Sequence, residues 1–235
     1  MNHILDGSTA RHFTLTRFVG YLGPLMAEYV VGQVIAHERQ FAFWGEMQRQ
    51  RRWTVPATVP PYRPLASLTL GILGGLGDIG QAIARAANAL GMRVEVLAHQ
   101  PRRIYDGVVA DTIYDKDSGG LAALLAAADY LVAVLPSTPA TRGMLTASVL
   151  RACTKRPVFI NVGRGDLIAP DEVIAALNHG SLRYSFACQN GKRDGRHSWV
   201  RPPRGERVRS FGSHAILDVF APEPLHADSP LWTHP

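Results

Sequence analysis

Two groups of residues have the types and spacing to hold a phosphorylated cofactor. The first is Gly75-Leu76-Gly77-Asp78-Ile79-Gly80, a GxGxxG run. Such a run suits a pyrophosphate: Gly75 allows a tight turn, Gly77 lets the backbone approach the phosphates, and Gly80 lets a helix pack closely on the preceding strand. A helix opening at Asp78 and Ile79 offers unpaired backbone N–H groups to an anion. The second group is His99-Gln100-Pro101-Arg102-Arg103, about 20 residues on. NAD-binding proteins place an Asp or Glu here for the ribose hydroxyls, and this segment has none. Arg102 and Arg103 can instead pair with a 2′-phosphate through charge-assisted bonds. NADP(H) is therefore the preferred cofactor, with NAD(H) possible, and His99 and Gln100 lie in the same binding segment. Gly-rich turns and solvated arginines also occur without ligands, so the elements around them carry part of the argument.

Those elements alternate. Leu68–Leu73 reads as a strand, Asp78–Leu90 as a helix with Ile79, Ile83, Ala87 and Leu90 on one stripe, and Val94–Leu97 as the next strand after Gly91. Further on, strands are expected near Val108–Ile113, at Tyr130–Leu135, at Pro157–Val162 and at Ala215–Phe220. Helices are expected at Leu121–Ala128, Thr141–Ala152 and Pro170–Asn178, the last opened by proline and acids. Upstream, Leu25, Met26, Tyr29, Val30, Val34 and Ile35 predict one long helix behind Pro24, spanning about residues 23–50. A stiff connector with Pro56, Pro60, Pro61 and Pro64 then leads to the first strand. Repeated β-α-β units with continuously apolar strands mean an α/β, doubly wound parallel sheet covered on both faces, a Rossmann-type NAD(P)-binding domain.

Composition excludes several classes. The 235 residues are 46% hydrophobic and 19% charged, which is incompatible with a disordered tail, a collagen repeat or a coiled coil. The longest apolar run, Leu121–Leu135, is broken by Asp129, so no bilayer span is expected and the first twenty or so residues lack a secretion signal. A soluble, cytoplasmic protein follows as the expectation. Cys153 and Cys188 form no CxxC pair and the nine histidines no metal motif, so no metal site is expected. The net charge of +6 is local. Residues 183–212 hold eight basic and two acidic side chains, leaving 17 of each sign elsewhere. A nucleic-acid partner is thus unlikely for the main body, although arginines interleaved with Tyr184, Trp199 and Phe211 could contact phosphates and bases.

Three further strings stand at the ends of later strands: Leu135-Pro136-Ser137-Thr138-Pro139-Ala140-Thr141, Asn161-Val162-Gly163-Arg164-Gly165-Asp166, and Asp218-Val219-Phe220-Ala221-Pro222-Glu223-Pro224. With GLGDIG, in this order and spacing, they resemble the D-isomer-specific 2-hydroxyacid dehydrogenases, particularly the glyoxylate and hydroxypyruvate reductase branch. The resemblance implies hydride transfer between a nicotinamide cofactor and a small 2-keto or 2-hydroxy acid. It implies that Arg164 grips the substrate's carboxylate and carbonyl oxygen, and that Glu223 holds and charges a catalytic histidine. Asp218 would lie near the nicotinamide amide, Thr141 near the cofactor's middle, and Pro136, Val162 and Gly163 in the same cofactor-binding set. A homodimer is the assembly it implies.

The chain also departs from the family. The proton-donating histidine of relatives follows the His-Pro that closes the Glu223 motif. His234 of His234-Pro235 corresponds to that dipeptide, not to the catalyst. Residues 1–22 read as the remnant of a substrate domain or linker, and residues 23–235 as the dinucleotide-binding domain, so the substrate domain is expected to be largely absent. Turnover by this chain is accordingly in doubt, and the alternative is a catalytically silent dinucleotide-binding or dimerisation module. Residues 183–212 stand where relatives have a short connection, and their composition reads as a disordered insert whose removal restores the family's spacing.

Overall fold

The computed structural model describes residues 20–53, 62–98, 109–182 and 215–232. Two helices, α1 (Leu22–Glu38) and α2 (Phe41–Arg49), precede the sheet. There follow β1 (Thr69–Leu73), α3 (Asp78–Ala89), β2 (Arg93–Ala98), β3 (Thr112–Asp115), α4 (Gly120–Ala127), β4 (Tyr130–Ala133), β5 (Val158–Asn161), α5 (Pro170–Asn178) and β6 (Ala215–Leu217). The six strands are ordered β3-β2-β1-β4-β5-β6. Every pairing is parallel. The order reverses between β1 and β4, the switch point at which such sheets open a crevice outside their carboxyl ends.

The apolar strands are buried on both faces because helices cover both. Leu70, Ile72, Val94, Val96, Val132 and Ile160 face α1 and α3 through Val30, Val34, Ile83 and Ala87. Leu73, Leu97, Leu131 and Phe159 face α4 and α5 through Leu124, Leu125, Val173 and Leu177. Helix α1 approaches α3 through small residues: a Cβ on Gly23 would stand 3.2 Å from that of Ala82. Among the described residues no helix is long and apolar enough to cross a membrane.

Opposite the crevice, at the amino ends of the strands, a polar network ties α1 to the sheet. Arg63 donates from Nε to Glu38 Oε2 at 3.2 Å and from Nη2 to Glu38 Oε1. Its Nη1 reaches Asp129 Oδ1 at 3.0 Å. Asp129 Oδ2 also accepts from Lys155 Nζ and from the backbone N–H of Thr69, each at 3.1 Å. Tyr130 Oη donates to Glu38 Oε1 at 2.7 Å and lies 2.5 Å from His37 Nδ1. Burial pushes the Glu38 carboxyl up, but the hydrogen bonds from His37, Arg63 and Tyr130 and the charge of Arg63 outweigh it and hold the carboxyl at about 2.

Two helices differ from expectation. The single helix over residues 23–50 is two, separated at Arg39–Gln40, where Gln40 takes a left-handed φ of 54°. The hydrophobic spacing continues across the break, but Phe43 and Met47 pack with Trp44 in a cluster of their own, away from the sheet. The helix expected over Thr141–Ala152 is replaced by turns and a single 3-10 turn at Val149–Ala152. Its backbone is engaged elsewhere: Gly143 N–H donates to Asp166 O at 2.8 Å and Leu145 N–H to Leu167 O at 3.2 Å. The edge strand falls at Thr112–Asp115, overlapping the end of the Val108–Ile113 expected, and β4 and β6 end at Ala133 and Leu217, short of the expected Leu135 and Phe220. The expected insert at 183–212 lies outside the described residues.

Candidate functional site

The site is built from the carboxyl ends of β1, β4, β5 and β6. At the end of β1 the chain turns through Gly74, whose φ of +91° belongs to glycine. Gly75 is demanded by packing instead: a Cβ there would lie 2.3 Å from Val96 Cγ1 on β2. Gly80 presses α3 onto the turn, since its Cβ would meet Gly74 O at 2.6 Å and Gly75 Cα at 2.7 Å. Gly77 differs from both. It is exposed, it is the N-cap of α3 with φ −79°, and a Cβ there would meet nothing nearer than Gly74 O at 3.6 Å. Gly77 has no side chain with which to cap α3, so the N-cap residue leaves the first-turn N–H groups of Asp78, Ile79 and Gly80 without a side-chain acceptor. Asp78 accepts a hydrogen bond from Gly20 N–H at 3.1 Å, joining the entry to α1 to the same helix terminus.

At the end of β4, residues 136–143 form a loop organised by Thr141. Its Oγ1 donates to Pro136 O at 2.6 Å and accepts from Thr138 N–H at 2.9 Å. The loop is fastened to the end of β5 by Asp166, which accepts from Ser137 Oγ at 2.5 Å and pairs with Arg142 Nε at 3.3 Å. That pairing matters for Arg164: Asp166, two residues on, already has partners, and Arg164 Nη1 donates to its own Gly163 O at 2.7 Å. The Arg164 side chain stands on an exposed residue at the crevice edge.

The two glycines flanking Arg164 are close-packed. A Cβ on Gly163 would lie 2.9 Å from Leu135 O, and one on Gly165 only 2.0 Å from Phe220 C. The Arg164 turn is thereby wedged between the end of β4 and the segment after β6. In that segment Glu223 Oε1 accepts from Phe220 N–H at 2.8 Å, so Glu223 and Arg164 are carried by backbone stretches in direct contact. Asp218 N–H donates to Asn161 O at 3.0 Å, which fixes β6 beside β5. The side chain of Asp218 is near enough to Tyr29 on α1 to add to the burial that raises the phenol's pKa.

The profile of the D-isomer specific 2-hydroxyacid dehydrogenase NAD binding domain matches residues 31–187. The chain belongs to the D-isomer specific 2-hydroxyacid dehydrogenase family. Among relatives of this chain, a glyoxylate/hydroxypyruvate reductase A of Escherichia fergusonii is 28% identical over 214 residues, covering 91% of this chain and 56% of the relative. A glyoxylate/hydroxypyruvate reductase B of Salmonella newport is 29% identical over 228 residues, covering 97% and 60%. The chain thus spans little more than half the length of these relatives. A crystal structure of a family member from Aeromonas salmonicida superposes with a TM-score of 0.77 at 35% identity, covering all of this chain and 63% of that one. The NADPH-dependent glyoxylate/hydroxypyruvate reductase of Sinorhizobium meliloti, solved with NADP and sulfate, gives 0.71 at 29% identity, covering 98% and 62%.

For this family member the structure brings Gly75, Gly77, Asp78, Ile79, Gly80, Pro136, Thr141, Val162, Gly163, Arg164, Asp218 and Glu223 to one edge of the sheet. His99, Gln100, Arg102, Arg103 and His234 lie outside the described residues. Sequence reasoning assigned the tight turn to Gly75, whereas the left-handed residue is Gly74 and Gly75 answers to Val96. The sequence offers Asp166 only as a neighbour that Arg164 could neutralise, whereas Asp166 pairs with Ser137 and Arg142, and roles for Ser137, Arg142 and Asn161 are not read from it. For Asn161 the signal was present: a buried amide two residues before a glycine is the pattern of an Asx turn.

Proposed function

We propose that this chain binds a nicotinamide dinucleotide, NADPH in preference to NADH, across the carboxyl edge of its sheet. We further propose that it works as an oxidoreductase transferring hydride between that cofactor and a small 2-keto or 2-hydroxy acid of the glyoxylate or hydroxypyruvate type. The observation that supports this most directly is Gly77. Its neighbours Gly75 and Gly80 are glycines because the protein itself fills the space of a side chain, whereas among the described residues a Cβ at Gly77 would meet only Gly74 O, at an ordinary 3.6 Å. A glycine with room for a side chain among the described residues, at a helix start whose N-cap has no side chain, fits a ligand backbone of phosphates. The NADP bound by the Sinorhizobium meliloti relative points the same way.

In this reading residues 23–235 are the dinucleotide-binding unit. The nicotinamide, when bound, supplies or accepts the hydride. Gly77 and the first turn of α3 hold the pyrophosphate, and the loop closed by Thr141 and Pro136 lines the cofactor's middle. Val162 and Gly163 border the ring, and Asp218 orients its amide. Arg102 and Arg103, with His99 and Gln100, receive the adenosine end and its 2′-phosphate. Arg164 presents a fixed cationic fork to the substrate's carboxylate and carbonyl oxygen, stabilising the negative charge that grows on that oxygen as hydride arrives. Glu223 orients and charges the histidine that gives the proton. The exposed Leu22, Leu25 and Phe41 on α1 and α2 support a homodimer through these helices. The same reading makes the protein cytoplasmic, which cell fractionation tests.

The decisive experiment titrates the chain with NADPH and with NADH by fluorescence, then follows oxidation of the reduced coenzyme with glyoxylate and hydroxypyruvate. Binding with turnover supports both proposals. Binding without turnover assigns the chain to the alternative, a catalytically silent dinucleotide-binding module. Failure of a folded sample to bind either coenzyme refutes the reading.

A further inference from the structure

We infer that Asn161 is the positioning residue that aims Arg164. The inference rests on Arg164 being the group that grips a 2-keto acid, and it adds what holds that arginine in place. Asn161 closes β5 and is 1% exposed. Both ends of its carboxamide are used within four residues: Oδ1 accepts from Gly163 N–H at 3.1 Å, and Nδ2 donates to Arg164 O at 3.0 Å. A third bond, from Asp218 N–H to the backbone carbonyl of Asn161, runs to the neighbouring strand.

The amide therefore acts as a two-point clamp on the turn that carries the guanidinium. Gly163 and Gly165, pressed against Leu135 and Phe220, limit where that turn can go. Bonding the Gly163 N–H and the Arg164 carbonyl fixes the peptide plane that enters Gly163 and the one that leaves Arg164, so the two held planes bracket the Gly163–Arg164 unit. Arg164 then holds φ −139° and ψ 142°, and its side chain leaves the turn in a set direction. At neutral pH an amide offers a donor and an acceptor on one planar group of this size, which an ionised carboxylate does not. Without it the Arg164 carbonyl keeps only the longer bond from Leu167 N–H at 3.4 Å, and the turn is held less firmly. A misplacement of the cationic fork by about 1 Å is enough to weaken substrate engagement roughly a hundredfold.

The test compares the full chain with Asn161→Ser, Asn161→Asp and Arg164→Ala. Each folded sample is titrated with NADPH and then, saturated with NADPH, with oxalate as an unreactive dianionic mimic of the keto acid. Asn161→Ser keeps an acceptor for Gly163 N–H but cannot reach Arg164 O. It is expected to bind NADPH within threefold of wild type and oxalate roughly tenfold to a hundredfold more weakly. Asn161→Asp supplies the distinguishing readout. Ionised, it repels the Arg164 carbonyl; protonated, its hydroxyl donates where Nδ2 did. Its oxalate affinity relative to wild type should recover as pH falls from 8 to about 5.5, with the carboxyl raised by burial. A structural role alone predicts no such recovery. Wild-type oxalate affinity in Asn161→Ser, or a pH-independent deficit in Asn161→Asp, overturns the inference while leaving Arg164 its role. Should Arg164→Ala bind oxalate as well as wild type, or wild type bind none, the reading of Arg164 fails and this inference falls with it. If Asn161→Asp does not fold, the serine variant decides alone.

Discussion

Substituting alanine separately at Gly77 and at Gly80 distinguishes a glycine the ligand needs from one the fold needs. At Gly77 the φ of −79° is open to any residue and the new methyl meets nothing closer than 3.6 Å. Reduced freedom of the unfolded chain favours alanine there by about 0.4 to 1 kcal/mol, and alanine's poorer N-capping costs a similar amount. The folded state should therefore keep its stability to within about 1 kcal/mol, a melting shift of roughly 4 °C or less for a chain of this size. The methyl does project where the pyrophosphate would lie. Displacing a phosphate from one charge-assisted N–H bond costs about 1.5 to 3 kcal/mol, so NADPH affinity should fall roughly tenfold to a hundredfold. At Gly80 the methyl would stand 2.6 Å from Gly74 O and 2.7 Å from Gly75 Cα, both backbone. That overpacking should cost about 1 to 3 kcal/mol of stability before any ligand is present. Calorimetric melting without ligand, paired with fluorescence titration of NADPH, reads both quantities. A folded Gly77→Ala variant that binds NADPH as tightly as wild type would falsify the placement of the cofactor at α3.

Three further outcomes are expected. Because Glu38 is held at about 2 in the folded chain against about 4.5 when unfolded, its contribution is complete above pH 4.5 and is lost as pH falls toward 2. The loss is about 2 kcal/mol after allowance for screening at the partly open Arg63. Urea unfolding at several pH values should show it, and Glu38→Gln should flatten that acid limb. Parallel limbs for the two proteins would remove Glu38 as its source. Arg164→Lys keeps the charge but loses the planar fork, so affinity for glyoxylate or oxalate should drop about tenfold or more with NADPH binding unchanged. Equal affinity would show that a point charge suffices. Burial pushes the Cys153 thiol up to about 12. Peptide mapping after iodoacetamide treatment of the native chain should find Cys153 unmodified, and rapid labelling at neutral pH would show that the site opens.

Much of this protein is decided locally and could be read without coordinates. Continuous apolar stretches such as Leu70–Leu73 and Tyr130–Ala133 have to be buried on both sides, which forces a parallel sheet with helices on each face. GLGDIG carries its own turn and helix start, and Pro170 with Asp171 and Glu172 opens α5 where the chemistry of a helix N-terminus places it. What needed the fold are the features whose partners come from far along the chain. Residues 143–145 have a helical pattern but bond to Asp166 and Leu167. Gln40 breaks a continuous apolar stripe with no glycine or proline to mark it. Arg63 pairs with Glu38 and Asp129 across 25 and 66 residues. Spacing along a chain reports which face of an element is apolar, but a hydrogen bond or a blocked Cβ depends on what stands opposite. Only the assembled sheet determines that Gly75 answers to Val96 and Gly165 to Phe220, while a Cβ at Gly77 would meet only Gly74 O at an ordinary 3.6 Å among the described residues.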